Sequence, residues 1–285
     1  MKLKGKVAVV TGGGRGIGRN IALAYAREGA SVVVAARTTA EIELTAKEIV
    51  VLGVESMAAK TDVTRYEDVE RLVAATLERF GRIDILVNDA GVQGPIGPVA
   101  EIDPKRWVHA VMVNLIGTFY CCRAVLPPMV SGKRGKIINV SGGGSVSPRP
   151  FFTAYSAAKA AVVRFTESLA GELAPYNIQV NTMAPGATPT RMLEEVLGHA
   201  GEAGKDEVDK AEAVLGGGGV DTERQAALAV FLASGESDGL TGRMLHTSED
   251  WPSLAGRVHE IMATDLYTVR RVQPWKSGME GRISS

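Results

Sequence analysis

The run Thr11-Gly12-Gly13-Gly14-Arg15-Gly16-Ile17-Gly18 lies between a short apolar segment, Lys6–Val10, and a stretch of helical period, Ile17–Arg27. The apolar segment is rich in β-branched residues and suits a buried strand. Glycines let the chain turn tightly out of that strand and bring its backbone close to a ligand. The helix behind them offers free N–H groups and the positive end of its dipole to an anion. Strand, glycine turn and helix in this order read as a pyrophosphate-binding element of a doubly wound sheet. The plain alternative is a tight turn that holds no ligand.

The rest of the chain repeats this rhythm. Strands are expected at Ser31–Ala36, Ile83–Asn88, Lys136–Val140 and Ile178–Met183, with a less apolar candidate at Val54–Lys60. Helical period runs over Glu41–Leu52, Tyr66–Phe80, Thr153–Ala174 and Thr222–Ala233. Near-continuous apolar strands suit a parallel sheet covered on both faces, joined by right-handed crossovers. The expected fold class is α/β, a doubly wound parallel sheet in a single domain over residues 1–245, with a C-terminal extension over 246–285. Leu240–Leu245 fits a last strand. Two regions break the rhythm. Arg191–Val220 is polar and ends in four glycines, so it reads as a substrate lid or as a loose loop. Residues 246–285 lack strand rhythm; Ala255–Leu266 is a helix candidate, and Trp251 and Trp275 are candidate packing anchors.

Charge and composition exclude several function classes. Lys and Arg total 32, as do Asp and Glu, so no net charge draws the chain to nucleic acid or anionic lipid. No apolar run approaches the roughly 20 residues that span a bilayer. Met1–Lys6 runs straight into the first strand, which leaves no room for a signal peptide. Cys121 and Cys122 are adjacent and form neither a good disulfide nor a zinc site. The four histidines, His109, His199, His246 and His259, have no metal-type spacing. A reducing, cytoplasmic setting is the expectation, with no metal.

Cofactor choice is expected at the end of the second strand. A carboxylate about 20 residues past the glycine turn would bind the adenine-ribose hydroxyls and favour NAD. Here Arg37-Thr38 follows Ala35-Ala36, and Arg15 sits within the glycine turn. Two arginines without a carboxylate suit a 2′-phosphate, hence NADP(H) before NAD(H). Both could instead be solvated surface arginines.

Further motifs fall in one order: the turn Gly12, Gly14, Arg15, Gly16, Ile17, Gly18; then Asp62-Val63; Asn88-Asp89-Ala90-Gly91; Asn114; Tyr155-Ser156-Ala157-Ala158-Lys159; and Pro185-Gly186 with Thr188 and Thr190. Together, over residues 4–242, they resemble the short-chain dehydrogenases/reductases, and within them the 3-oxoacyl-acyl-carrier-protein reductase-like members. The resemblance implies a Rossmann fold, a small-molecule carbonyl or alcohol substrate, and a homodimer or homotetramer. It implies that Asp62 and Val63 meet the adenine, and that Asn88, Ala90 and Gly91 flank the cofactor. Pro185, Gly186, Thr188 and Thr190 would hold the nicotinamide amide. Asp89 replaces the second Asn of the family's NNAG.

Tyr155 and Lys159 are four residues apart, so one helix face carries both. A phenol with a pKa near 10 is a reluctant acid at neutral pH, and a nearby ammonium favours its ionised form. Tyr155 is the candidate general acid/base and Lys159 its electrostatic tuner. By resemblance Lys159 also binds the nicotinamide ribose, and Asn114 relays protons through a water; a hydrogen-bond bracket is the other reading of Asn114. The family's serine, thirteen residues before the tyrosine, is Gly142 here. Ser141 is the first candidate to replace it, then Ser145, then backbone N–H groups of the glycine loop. With no replacement, the chain would be a non-catalytic NADP(H)-binding regulator, or a structural subunit beside an active homologue. Gln93, Pro150, Phe151, Phe152 and Met192 suit an uncharged, moderately large substrate.

Overall fold

The computed structural model describes residues 1–270. Its seven strands all run parallel: β1 (Val7–Thr11), β2 (Ser31–Ala36), β3 (Ser56–Lys60), β4 (Ile85–Asn88), β5 (Gly135–Val140), β6 (Ile178–Ala184) and β7 (Met244–His246). Their order is β3-β2-β1-β4-β5-β6-β7. The chain therefore reverses direction of growth between β1 and β4, where open sheets of this kind bind ligands at their carboxyl ends. β1, β4, β5 and β6 are buried along their whole length, which is why their sequences lack alternation.

Helices cover both faces. α1 (Gly16–Arg27), α2 (Thr39–Val51) and α10 (Thr222–Ala233) lie on one, with Tyr25, Ile42, Leu228 and Phe231 in the core there. α3 (Tyr66–Phe80), α5 (Gly117–Gly132) and α6 (Thr153–Leu173) lie on the other, over Val33, Leu86, Ile137 and Val180. Each fully buried Ile, Leu or Phe stabilises the fold by roughly 1.5–3 kcal/mol.

Several expectations need correction. α4 (Pro104–Val111), a π-helical turn (Met112–Ile116) and α5 run on as one helix of 29 residues, long and apolar enough by length and composition to cross a membrane. His109, Asn114 and Arg123 interrupt its apolar run and hide its length in the sequence. Its inner side, with Val113, Cys121, Cys122, Val125 and Met129, is buried in the core. Arg191–Val220 is not a loose loop but folds into α7 (Arg191–Gly198), α8 (Ala200–Ala203) and α9 (Lys205–Ala213), then a turn. Val196, Ala203 and Ala211 bury there against Ile96 and Phe152 in a small core of their own.

The last strand begins at Met244 rather than Leu240, because Gly242 has a φ of +66° and Leu240 donates its N–H back to Ser237. The Ala255–Leu266 helix shrinks to α11 (Val258–Met262), preceded by a 3₁₀ turn at Trp251–Leu254. Trp251 packs on Phe231, with ring centroids 5.4 Å apart, and joins the main core. Trp275 lies outside the described residues.

Candidate active site

A cleft of about 1080 Å³ opens at the carboxyl ends of the strands, bounded by Arg37 at one end and Glu207 and Lys210 at the other. Its floor is made where the strand-end loops meet. A Cβ at Gly12, whose φ is +70°, would stand 2.9 Å from the Ala90 N atom. A Cβ at Gly18 would stand 2.6 Å from the Gly12 carbonyl oxygen and 2.7 Å from Asp89 Oδ2. Thr11 staples the two loops: its hydroxyl accepts the N–H groups of Asp89 and Ala90 at 3.2 and 3.3 Å and donates to the Val87 carbonyl. Gly18 and Asn88 do not themselves line the cleft. Gly18 permits the close approach of α1. Asn88 donates Nδ2 to Asn139 Oδ1 at 2.8 Å, inside the sheet, and Asn139 donates on to Thr166.

At the β2 end, Arg37 and Thr38 are exposed on the rim. Arg15 is not free as the sequence suggests. Glu41, on the first turn of α2, takes its Nη1 at 3.5 Å. Glu41 was not among the expected site residues, because only the turn into α2 brings it back to the glycine loop. Burial pushes the Asp62 carboxyl up, but the N–H and hydroxyl of Thr64, with Arg37 and His109, hold it below its ordinary value.

At the centre, Tyr155 and Lys159 line the cleft one helical turn apart. Lys159 donates Nζ to the Val140 carbonyl at 2.8 Å and lies 5.7 Å from the Tyr155 ring centroid. Burial pushes Lys159 down to about 8, against the pull of Asp89. Burial pushes Tyr155 up to about 12; Arg149 opposes that and Asp89 adds to it. Asp89 itself is pushed up to about 6 by burial, opposed by Lys159 and by the Gly18 N–H. Asn114 sits in the π-helical turn, a local widening of the helix common at functional sites. Its Nδ2 donates to the Val92 and Ala110 carbonyls at 2.8 and 2.9 Å, and its Oδ1 accepts the Val92 N–H at 3.2 Å. These bonds hold Val92, in the loop after β4, to the long helix.

A side chain at the expected serine position would require Tyr155 to move. A Cβ on Gly142 would overlap the Tyr155 hydroxyl. Ser141 is buried at the end of β5, and its hydroxyl has no partner. Ser145, also buried, turns its N–H back to the Gly142 carbonyl at 3.3 Å. Gln93, 2% exposed, leaves Nε2 unpartnered on the same wall. Pro185, Gly186, Thr188 and Thr190 line the cleft beyond β6. Two residues that no sequence motif marked pin this turn. Gln225 of α10 donates Nε2 to the Pro185 carbonyl at 2.7 Å and to Thr188, and Thr247 donates to the same carbonyl at 3.1 Å.

These residues fit a dinucleotide. A Cβ at Gly12, Gly13, Gly14 or Gly18 would collide with its neighbours, cations stand at the rim, and the volume exceeds the roughly 300–1,000 Å³ of common ligand pockets. The sequence profile of the short chain dehydrogenases matches residues 6–200. The chain belongs to the short-chain dehydrogenase/reductase family. This dehydrogenase is 37% identical over 242 residues to the short chain dehydrogenase/reductase astE of Aspergillus oryzae, covering 84% of this chain and 92% of that one. An NAD⁺-bound xylitol dehydrogenase superposes with a TM-score of 0.80 at 30% identity, covering 86% of this chain and 98% of the other. A variant of actinorhodin polyketide ketoreductase, solved with NADPH, superposes with a TM-score of 0.77 at 34% identity, covering 85% and 95%. The family is one of oxidoreductases that use a nicotinamide cofactor on small molecules. Its members here hold either NAD⁺ or NADPH.

Proposed function

We propose that this short-chain dehydrogenase is an NADP(H)-dependent enzyme that interconverts a carbonyl and a secondary alcohol, with Tyr155 as general acid/base. One observation carries the reading. The Tyr155 hydroxyl and the Lys159 ammonium line the same cleft, between a glycine cradle and the short helices α7 and α9. The bound cofactor supplies or takes up the hydride. Burial keeps the Tyr155 phenol protonated at neutral pH, as a proton donor to a carbonyl oxygen must be. Lys159 would hold the nicotinamide ribose. Asn114 fixes Val92 beside it and so supports the proton path. Ser141, or failing it Ser145 or the loop N–H groups, would position the substrate oxygen.

Arg37, Thr38 and Arg15 would take the 2′-phosphate; the support is that no carboxylate ends β2. Gly12, Gly14, Gly16 and Ile17 would cradle the pyrophosphate, and Asp62 and Val63 the adenine. Residues 191–220 would serve as a lid over the substrate. A cytoplasmic homodimer or homotetramer completes the proposal.

The test is a titration of purified protein with NADPH and NADH, then turnover of ketones, aldehydes, diketones and 3-oxoacyl thioesters by wild type and Tyr155→Phe. NADPH-dependent turnover that falls by about 100-fold or more in Tyr155→Phe, with cofactor affinity kept, is expected. Undiminished turnover by Tyr155→Phe overturns the acid/base role. A second reading, a non-catalytic NADP(H) sensor, draws support from Gly142, which stands where the family carries its serine and where a side chain would meet the Tyr155 hydroxyl. Tight NADPH binding without turnover in either direction would favour it.

A further inference from the structure

Arg149 has no part in the reading above, yet it is firmly held on the substrate side of the cleft. Its Nε donates to Glu207 Oε2 at 2.8 Å, and its Nη2 forms an ion pair with the same oxygen at 2.7 Å. Its Cζ lies 3.9 Å over the Phe152 ring and 5.8 Å from the Tyr155 ring centroid. Both side chains of the pair are mostly buried, at 14% and 17% exposure. Glu207 belongs to α9 and also takes Lys210 Nζ at 3.0 Å. The pair thus ties the loop before α6 to the helices beyond β6.

That loop brings Arg149 towards the tyrosine. A Cβ on Gly142 would strike the Tyr155 hydroxyl, and one on Gly143 would stand 4.0 Å from Arg149 Nε and Nη1. Gly142 and Gly143 place no side chain between the hydroxyl and the guanidinium. Each element packed around Tyr155 brings its own charge. Asp89 comes from the loop after β4, Arg149 from the loop before α6, and Lys159 from the next turn of α6. Glu207 and Lys210 of α9 stand behind Arg149. Lys159 is turned to the Val140 carbonyl and burial weakens its hold on a proton. A guanidinium keeps its charge throughout the working range.

The geometry points to Arg149 as a positioning residue that supplies the lasting positive field at the Tyr155 hydroxyl, with Glu207 on α9 setting how much of that field remains. The inference rests on Tyr155 as the acid/base of the proposed reaction. It couples proton transfer to the helices over the cleft: as α9 lifts, Arg149 loses its counter-charge and the phenol becomes more acidic.

The test follows Tyr155 itself. Protein labelled with ¹³Cζ-tyrosine is titrated by NMR, free and with NADP⁺, and the Tyr155 signal is assigned by its loss in Tyr155→Phe. Arg149→Gln is expected to raise the Tyr155 midpoint and Glu207→Gln to lower it, each by about half to one pH unit, with Arg149→Lys near wild type. Both neutral variants break the same ion pair. A purely structural clamp would therefore move the midpoint the same way in both, and that result, or no movement in either, overturns the inference. If Arg149→Gln does not fold, Glu207→Gln and Arg149→Lys still give the sign. Failure of NADP⁺ to bind would count against the cofactor reading alone, because the free-protein titration still reports on Arg149.

Discussion

Asp89, Tyr155 and Lys159 share one dry corner, and burial pushes each towards its neutral form. For Asp89 this sets a pH-dependent stability. An unfolded Asp titrates near 4, and the folded one near 6. Between those values the native state holds the extra proton, so its stability falls as pH rises through that window. Asp89→Asn should be indistinguishable from wild type below pH 4 and more stable by about 2–3 kcal/mol at pH 7. Urea melts at the two pH values check this; equal stability gaps at both would refute it. Glu41 acts at the other end of the cleft. Its carboxylate takes part of Arg15's charge and faces the place proposed for a 2′-phosphate. Glu41→Gln should tighten NADPH by about two- to fivefold and leave NADH unchanged, read by nicotinamide fluorescence. In an Arg15→Gln background the gain should shrink. Arg15, Arg37, Tyr155 and Lys159 were legible because motifs fix their positions in sequence. Glu41, Gln225 and Arg149 were not, because chain turns and packing bring Glu41 and Arg149 to the cleft, and Gln225 to the turn behind it, from outside any motif.

Strands buried on both faces write themselves as apolar runs, so β1, β2, β4, β5 and β6 were readable to within two residues at each end. The helices over the cleft were not. Leu193, Val196, Leu197, Val208 and Ala211 form a thin apolar stripe divided among short helices and diluted by acidic residues. The cluster they build is separate from the two main cores, so it should open alone. Val196→Ala removes two buried methyl groups and weakens that cluster by roughly 1–2 kcal/mol. Amide exchange over 191–213 should speed up by about tenfold while β1, β4 and β5 stay protected. Uniform acceleration across the sheet would mean that these helices are part of the global fold.

The order of motifs along the chain made the whole architecture legible, since the glycine turn, Asp62-Val63, Asn88–Gly91 and Pro185-Gly186 mark the carboxyl ends of β1, β3, β4 and β6, and Asn114 and Tyr155–Lys159 mark helices between strands. The substrate was not legible, because the walls of the cleft come from the least regular parts: the glycine loop at 141–149, the turn after β6, and the short helices α7 and α9. Assembly belongs to this scale too. Val108 and Phe119 are 55% and 42% exposed on the long helix, and the Phe119 ring lies 6.2 Å from that of Phe165 on α6. If this face joins copies of the chain, Phe119→Asp should shift the sedimentation coefficient towards that of a monomer and leave the far-ultraviolet circular dichroism unchanged. A wild-type monomer would remove the basis for the oligomer. The hydrogen bonds from Gln225 and Thr247 to the Pro185 carbonyl bear on synthesis. A nascent chain carries Tyr155 and Lys159 when little more than half of it has been made. The turn proposed to hold the nicotinamide gains its first tether from Gln225 and its last only when residue 247 has left the ribosome. On the proposed reading, competence to bind cofactor arrives late in translation, after all seven strands are out, and a truncated product would carry Tyr155 and Lys159 without a finished turn opposite them.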